Sequence, residues 1–269
     1  MAEESRQQRR NRHRELAKLG QTAFASGLPL NASKDAMLGV SLVLKAKLRE
    51  RDNACRGSEA VGMAHQLVER SLKAAPTRET IACGRGCSYC CFNYVGVLAP
   101  EVFRIADAVR RGARQQAAMV SAAVLARCAP LIGIEPGARM GAKLPCPMLV
   151  DNACATYVER PFVCRQTAAY EVQPCIDGYE GRDGLMRAPR RELSASSNAH
   201  VAMLGAMKSA GLNTDGYELA SALSAIVDEP GAEGGWLAGE DVFAGLPRTF
   251  HRDPKITTIV NRIAEEIEG

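Results

Sequence analysis

Long apolar runs are missing from this chain: residues 36–44, a representative apolar stretch, number nine, under half of the ~20 that a membrane-spanning helix needs. A membrane anchor is therefore not expected. Charge of one sign is missing as well. Lys and Arg total 34 against 30 Asp and Glu, and a net charge of +4 is too mild to predict nucleic-acid or membrane partners by itself. Histidine is scarce, at four residues, and aromatics make up only 5%. The basic N-terminal segment, where Arg6, Arg9, Arg10, Arg12, Arg14 and Lys18 outweigh Glu3, Glu4 and Glu15, has no rings on which bases could stack. A solvated helix or frayed tail is expected there, not a nucleic-acid site. The same segment lacks the apolar core of a secretory signal and the hydroxyl-rich, acid-poor pattern of a transit peptide, so a soluble cytoplasmic protein is expected. The Gly-rich stretch 231–239 around Trp236 reads as a loop and has neither the P-loop lysine nor dinucleotide-binding glycine spacing, which removes the commonest phosphate sites. What is left is an ordinary folded composition, 46% hydrophobic and 24% charged, with 269 residues to bury a core in one or two domains.

Periodicity divides the chain into three. Residues 1–80 read as helical, with Met37, Val40, Leu44 and Leu48 forming one amphipathic stripe and Asn31 or Ser33 placed to cap it. Residues 81–180 open on a loop or short extended segment at 81–99. Two helices follow, one from Pro100 to a stop at Gly112 and one over 115–129. Residues 133–189 then show no sustained helical period and are punctuated by Pro136, Pro145, Pro147, Pro161, Pro174 and Pro189. So long an irregular stretch in a folded domain needs something other than an apolar core to order it. Residues 181–269 return to helix, with Leu219, Leu223 and Ile226 on one face and Ile256, Ile259, Val260, Ile263 and Ile267 on another. The expected fold is mostly α, with helical N- and C-terminal regions around a loop-rich, metal-organised cysteine domain.

Cysteine is the one residue type in excess. Eight of the ten, Cys83, Cys87, Cys90, Cys91, Cys146, Cys154, Cys164 and Cys175, fall within residues 83–175. The C-x3-C and C-x2-C spacings of the first four suit thiolates that converge while the backbone turns around them, and Gly84 and Gly86 allow that turning. The second four are spaced for loops. All four histidines, His13, His65, His200 and His251, lie outside this window, so the ligand set is purely thiolate. Such sets select zinc or iron–sulfur clusters. Four thiolates around Zn²⁺ or a [4Fe-4S]²⁺ core leave a net charge of about −2, for which Arg85, Arg160 and Arg165 are candidate partners. Eight thiolates exceed one mononuclear site, and neighbouring Cys90 and Cys91 are expected to diverge, so either two centres exist or some cysteines are spectators. Cys55 and Cys128 sit in helical patterns and read as buried small hydrophobes. Seven of the thirteen aromatics, Tyr89, Phe92, Tyr94, Phe103, Tyr157, Phe162 and Tyr170, share the cysteine window and read as a small local core.

The segment CPMLVDNACATYVERPFVCR, residues 146–165, resembles the C-P-x-L … C-x-x-Y-x-x-R-P-x-x-C-R stretch of the YkgJ-type cysteine-cluster family, a zinc- or iron-chelating domain named for its CxxCxxCC motif. Cys146, Pro147, Leu149, Cys154, Tyr157, Arg160, Pro161, Cys164 and Arg165 agree in identity and spacing, and Cys87, Cys90 and Cys91 fit the end of the motif. Three residues separate Cys83 from Cys87 where the family name has two. The resemblance covers about residues 80–180 and implies metal chelation, by iron–sulfur cluster in some members, without an agreed reaction.

Other chemistries use parts of the same pattern. Cys83-x3-Cys87-x2-Cys90 with Tyr89 also resembles the radical S-adenosylmethionine motif, but that superfamily needs a partial barrel of alternating strands and helices, and none is patterned after the motif. A cluster accompanying a methyltransferase lacks a Gly-rich nucleotide loop to support it. A thiol redox CxxC would sit at a helix start after a strand, and nothing singles out a histidine to partner a nucleophilic cysteine. The expected function is therefore binding of an iron–sulfur cluster or zinc by Cys87, Cys90, Cys91, Cys146, Cys154 and Cys164, with Cys83 and Cys175 as additional ligands. The alternative is a structural zinc module for a protein partner, without catalysis.

Overall fold

The computed structural model describes residues 6–75, 79–84, 86–112, 117–182, 187–248 and 254–268. Helix accounts for 62% of the chain and strand for 4%, so the mostly α expectation is met. The packing divides into two compact units. One comprises Met1–Pro76, Ser194–Thr214 and His251–Gly269; the other comprises Thr77–Leu193 and Asp215–Phe250. The residues read as one C-terminal helical region are thus shared between the two.

The first unit contains α1 (Arg6–Ser26), α2 (Lys34–Leu48), α3 (Arg56–Ala74), most of α8 (Arg190–Ser209) and α11 (Pro254–Glu266). Ser33 caps α2, its hydroxyl accepting from the Ala36 N–H at 3.2 Å. Val40, Leu44 and Leu48 of the expected stripe are buried. Helices α1 and α2 meet backbone to backbone: a Cβ on Gly20 would collide with the Gly39 carbonyl, and one on Gly39 with the Leu16 carbonyl. Leu16, Leu38, Ile263 and Ile267 close the core beside that crossing. The buried Lys45 donates from Nζ to the Ile267 carbonyl at 2.7 Å, terminating the C-terminal helix. Burial holds the Lys45 amine below its usual range, with the nearby Arg49 charge acting in the same direction. On α11 the buried face is Val260, Ile263 and Ala264, continued by Ile267 just past its end, while Ile256 and Ile259, expected on the same face, are exposed.

The second unit is built on a strand pair that short alternation in the sequence does not announce. Strands β1 (Gly96–Leu98) and β4 (Gly216–Glu218) pair antiparallel, with Val97 opposite Tyr217. Each runs straight into a helix: β1 into α4 (Ala99–Gly112), and β4 into α9 (Leu219–Ile226). Helix α5 (Ala117–Cys128) packs with α4 and α9 around Val102, Ile105, Val124, Leu219 and Leu223. Phe103 lies 5.6 Å from Trp236 and 5.8 Å from Phe243, centroid to centroid. Trp236 explains one departure from expectation. The Gly-rich residues 231–239 contain a short helix, α10 (Ala232–Leu237), because burying the indole outweighs the poor helix propensity of Gly234 and Gly235. Among the described residues no helix is long and apolar enough to cross a membrane.

The close crossing of α1 and α2 makes a specific demand on side-chain size. Gly39→Ala is expected to lower stability by about 1–3 kcal/mol through overpacking. Gly112→Ala, at an exposed position where an added Cβ meets nothing within 4 Å, should stay within about 0.5 kcal/mol of the parent. Urea denaturation followed by circular dichroism measures both; equal effects would contradict the crossing.

Candidate metal centre

All eight cysteines of the window belong to the second unit, and none of the ten in the chain is in a disulfide. The first segment leaves the described loop at Ile81 and turns sharply. The Cys87 N–H donates to the Gly84 carbonyl at 3.1 Å, and Gly86 sits at φ +92°, a left-handed conformation that glycine takes without a Cβ penalty. A single 3₁₀ turn, Tyr89–Phe92, then carries Cys90 and Cys91, with the Cys91 N–H on the Ser88 carbonyl. The adjacent Cys91 thiol pulls the Cys90 thiol down to about 7, helped by the Arg160 charge, while Cys90 and burial push Cys91 up.

The second segment begins where the first ends. The Cys146 N–H donates to the Cys91 carbonyl at 2.7 Å. Cys146 itself is buried, and desolvation pushes its thiol up to about 12. Three residues on, β2 (Leu149–Val150) and β3 (Ala153–Cys154) form a two-residue hairpin that sets Cys154 opposite Leu149. Asp151 and Asn152 take φ of 48° and 57°, the left-handed pair that a right-twisted hairpin demands and that Asp and Asn tolerate. Cys164 lies on α6 (Phe162–Gln166), one turn that begins after Pro161. Burial pushes its thiol well up, with Cys146, Cys90 and Cys154 as electrostatic neighbours. Cys175 stands in the first turn of α7 (Gln173–Tyr179). That helix meets the 3₁₀ turn through aromatic rings: the Tyr179 centroid is 5.8 Å from that of Tyr89 and 4.8 Å from that of Phe92. Cys83 is tied in from the other end. The Ala169 N–H donates to Cys83 Sγ at 3.3 Å, and the Ala82 N–H to the Ala169 carbonyl at 2.9 Å.

Several charged groups hold this arrangement, and sequence reasoning missed most of them. Glu101, buried in the first turn of α4, accepts from the Leu98 N–H at 2.8 Å and from the Phe162 N–H at 2.7 Å. One carboxylate thus joins β1 to the helix that bears Cys164. Arg139 is also buried; it donates to the Leu144 carbonyl and has Glu218 and Cys146 as electrostatic neighbours. Arg127 Nε donates to the Pro147 carbonyl at 2.7 Å. No motif marks Glu101, Arg127 or Arg139; only their position next to folded partners does. Of the three arginines expected near the thiolates, Arg160 stacks over the Tyr157 ring at 4.0 Å and acts on Cys90. Arg165 is buried and donates to the carbonyls of Arg160 and Val158, which fixes the entry to α6. Arg85 lies outside the described residues.

The presumed spectators divide. Cys128 is fully buried, and desolvation raises its thiol to about 11, as a small apolar side chain would be placed. Cys55, expected in a helix interior, is exposed at the N-terminal cap of α3 instead. His13, His65 and His200 belong to the other unit, and His251 lies outside the described residues. The window's aromatics do not form one core: Phe103 and Phe162 are buried, Tyr157 is exposed, and Tyr179, outside the window, takes the central contact with Tyr89 and Phe92.

The donor set fits a thiophilic metal in kind, since eight thiols without a disulfide and with several held in protonated form by burial are what zinc or an iron–sulfur cluster displaces protons from. In spacing, no three His, Cys, Asp or Glu side chains among the described residues stand close enough to enclose one ion. An open cleft of about 510 Å³, lined by Gly86, Val150, Asp151, Ala153, Cys154 and Ala155, leads from solvent to the hairpin thiol. No family, curated protein or solved structure matches the chain.

The Glu101 carboxylate makes the most exposed claim about how the site is held. Glu101→Ala leaves two buried N–H groups without their acceptor and is expected to cost about 1–3 kcal/mol for each group so orphaned. Urea unfolding of the full chain measures it, and a loss under about 0.5 kcal/mol would contradict the role assigned to this carboxylate.

Proposed function

We propose that the protein binds an iron–sulfur cluster or zinc through cysteine thiolates, with Cys87, Cys90, Cys91, Cys146, Cys154 and Cys164 as ligands and Cys83 and Cys175 as additional ones. The observation that carries the reading is the gathering of eight cysteines, separated by two helices in sequence, into one unit where the Cys146 N–H meets the Cys91 carbonyl. The resemblance of residues 146–165 and 87–91 to the cysteine-cluster family supports the same reading, and so does the softness of an all-sulfur donor set. When bound, an iron–sulfur cluster supplies one-electron redox chemistry, and zinc a fixed tetrahedral cross-link. The chain's own contribution is to place the thiols by the 3₁₀ turn, the hairpin and α6. Arg160 and Arg139 set positive charge beside Cys90 and Cys146. A cytoplasmic location accords with ten cysteines and no disulfide.

The closely spaced first segment and the Cys146-Pro147 pair favour iron–sulfur over zinc. The described strands form only two antiparallel pairs, which is not the parallel βα arrangement of a radical S-adenosylmethionine enzyme.

Anaerobic purification followed by metal and sulfide analysis tests the proposal. Iron with sulfide and a broad absorbance near ~400 nm is the expected result for a cluster; stoichiometric zinc in a colourless protein supports the structural-module alternative. Cys164→Ser should lose metal and stability together, because metal binding here contributes to folding, and Cys55→Ser should change neither. Equal metal content in the two variants overturns the ligand assignment.

A further inference from the structure

Helix α1 begins with a run of positive charge that its own unit leaves largely unanswered. Residues 6–14, RQQRRNRHR, hold five arginines, no carboxylate and no apolar side chain. That local excess is larger than the net charge of +4 carried by the whole chain. The solvated helix expected from the sequence does form from Arg6, and all five arginines are exposed on it. Arg12 reaches Glu266 at 3.2 Å, and Lys18, one turn beyond the run, pairs with Glu15 at 2.8 Å. Among the described residues no carboxylate pairs with Arg6, Arg9, Arg10 or Arg14; Glu3 and Glu4, which precede the helix, lie outside them.

Helix physics does not account for these residues. The first turn of α1 has no acidic side chain, so the cations stand at the positive end of the helix dipole, where anions would be stabilising. Arg6, Arg10 and Arg14 follow one another at i, i+4, which sets like charges in a row along about 12 Å of one face. Packing does not ask for them either. The buried residues of α1 are Leu16, Gly20 and Ala23, all beyond this stretch, and within it only His13 is half-buried, its Nε2 3.2 Å from the Glu266 carbonyl. A stripe of cations that repel one another and have no packing duty is complementary to a polyanion. The apolar side of the helix is spent inside the unit, and residues 6–14 offer nothing apolar to insert between lipid tails, which disfavours a membrane surface. With no ring for bases to stack on, single strands lose their main contact as well. What remains is the phosphate backbone of a duplex, which arginine grips by paired N–H donors and without regard to sequence.

We infer that α1 docks through Arg6, Arg10 and Arg14 on the phosphate backbone of a nucleic-acid duplex, independently of base sequence. Arg9, equally exposed, adds to the same field. The near balance of charge over the whole chain does not oppose this, because at physiological salt exposed charges more than about 8 Å away are largely screened and the duplex meets the local excess. The inference is independent of the metal-binding reading: α1 belongs to the first unit, and the eight cysteines of the window belong to the second.

Fluorescence anisotropy of a short labelled DNA duplex of mixed sequence, titrated with the full chain over a range of salt concentrations, tests the assignment. The parent is expected to bind with an affinity that falls as salt rises. The triple variant Arg6→Gln/Arg10→Gln/Arg14→Gln should bind about tenfold more weakly or worse, with a log–log salt slope shallower by about 2.7, from three phosphate contacts at about 0.9 each. Arg51→Gln/Lys73→Gln/Arg111→Gln, which removes three exposed cations of other elements, should bind as the parent does. Thermal unfolding supplies a second readout: the α1 variant should unfold at or above the parent's temperature, since it relieves repulsion, and a lower temperature would give the arginines to the fold and overturn the docking role. A parent that leaves the duplex unbound at low salt overturns the inference, as does an α1 variant with unchanged affinity and slope, or an equal loss in both triple variants. Binding to phosphatidylserine vesicles without binding to the duplex overturns it in favour of a membrane surface.

Discussion

The hydrogen bond from the Cys146 N–H to the Cys91 carbonyl is the constraint on which the second unit's chemistry depends. It brings together two segments that have few apolar side chains with which to find each other. One is a glycine-rich turn, the other a proline-punctuated loop. Neither would be ordered by an apolar core of its own. The helices between them, α4 and α5, supply that core and deliver the loops to one place. Glu101 then links the core to the loops, since one buried carboxylate serves the end of β1 and the start of α6 together. A buried carboxylate is tolerated because each oxygen accepts an N–H, and the same desolvation that would penalise it unpartnered strengthens those bonds.

Electrostatics in the cysteine region follow from the same economy of packing. Burial raises the thiols of Cys146 and Cys164, and neighbouring thiols, Cys154 beside Cys146 and Cys146 beside Cys164, raise them further. The counter-effect comes from cations in unremarkable positions: Arg160 beside Cys90, held over the Tyr157 ring, and Arg139 beside Cys146, itself held by the Leu144 carbonyl. A divalent ion or a cluster core would supply the positive charge that these two arginines only begin to provide.

Much of the frame was legible in the sequence. The stripe of Val40, Leu44 and Leu48, the Ser33 cap, and the helices that follow Pro100 and residue 115 depend on local period and capping, which the chain carries on its surface. The β1–β4 pair was not legible: three-residue strands show no alternation, and their partner lies across most of the unit. Trp236 overrode the loop signal of its glycines through a contact with Phe103 that no local pattern contains. For the site, cysteine spacing singled out eight residues that lie in one unit, whereas the backbone bond between Cys146 and Cys91 joins distant segments and is contained in no local pattern. Cys55 was misplaced because the helix begins only at Arg56, which leaves it at an exposed cap and not within the helix.

The central claim is that sulfur alone surrounds the bound metal. X-ray absorption at the metal edge of the anaerobically purified chain reads that coordination shell directly. The account predicts sulfur neighbours at about 2.3 Å and no nitrogen or oxygen in the protein-derived shell. Histidine nitrogen or carboxylate oxygen among the neighbours would contradict it, because no such group has been assigned a place among the thiols.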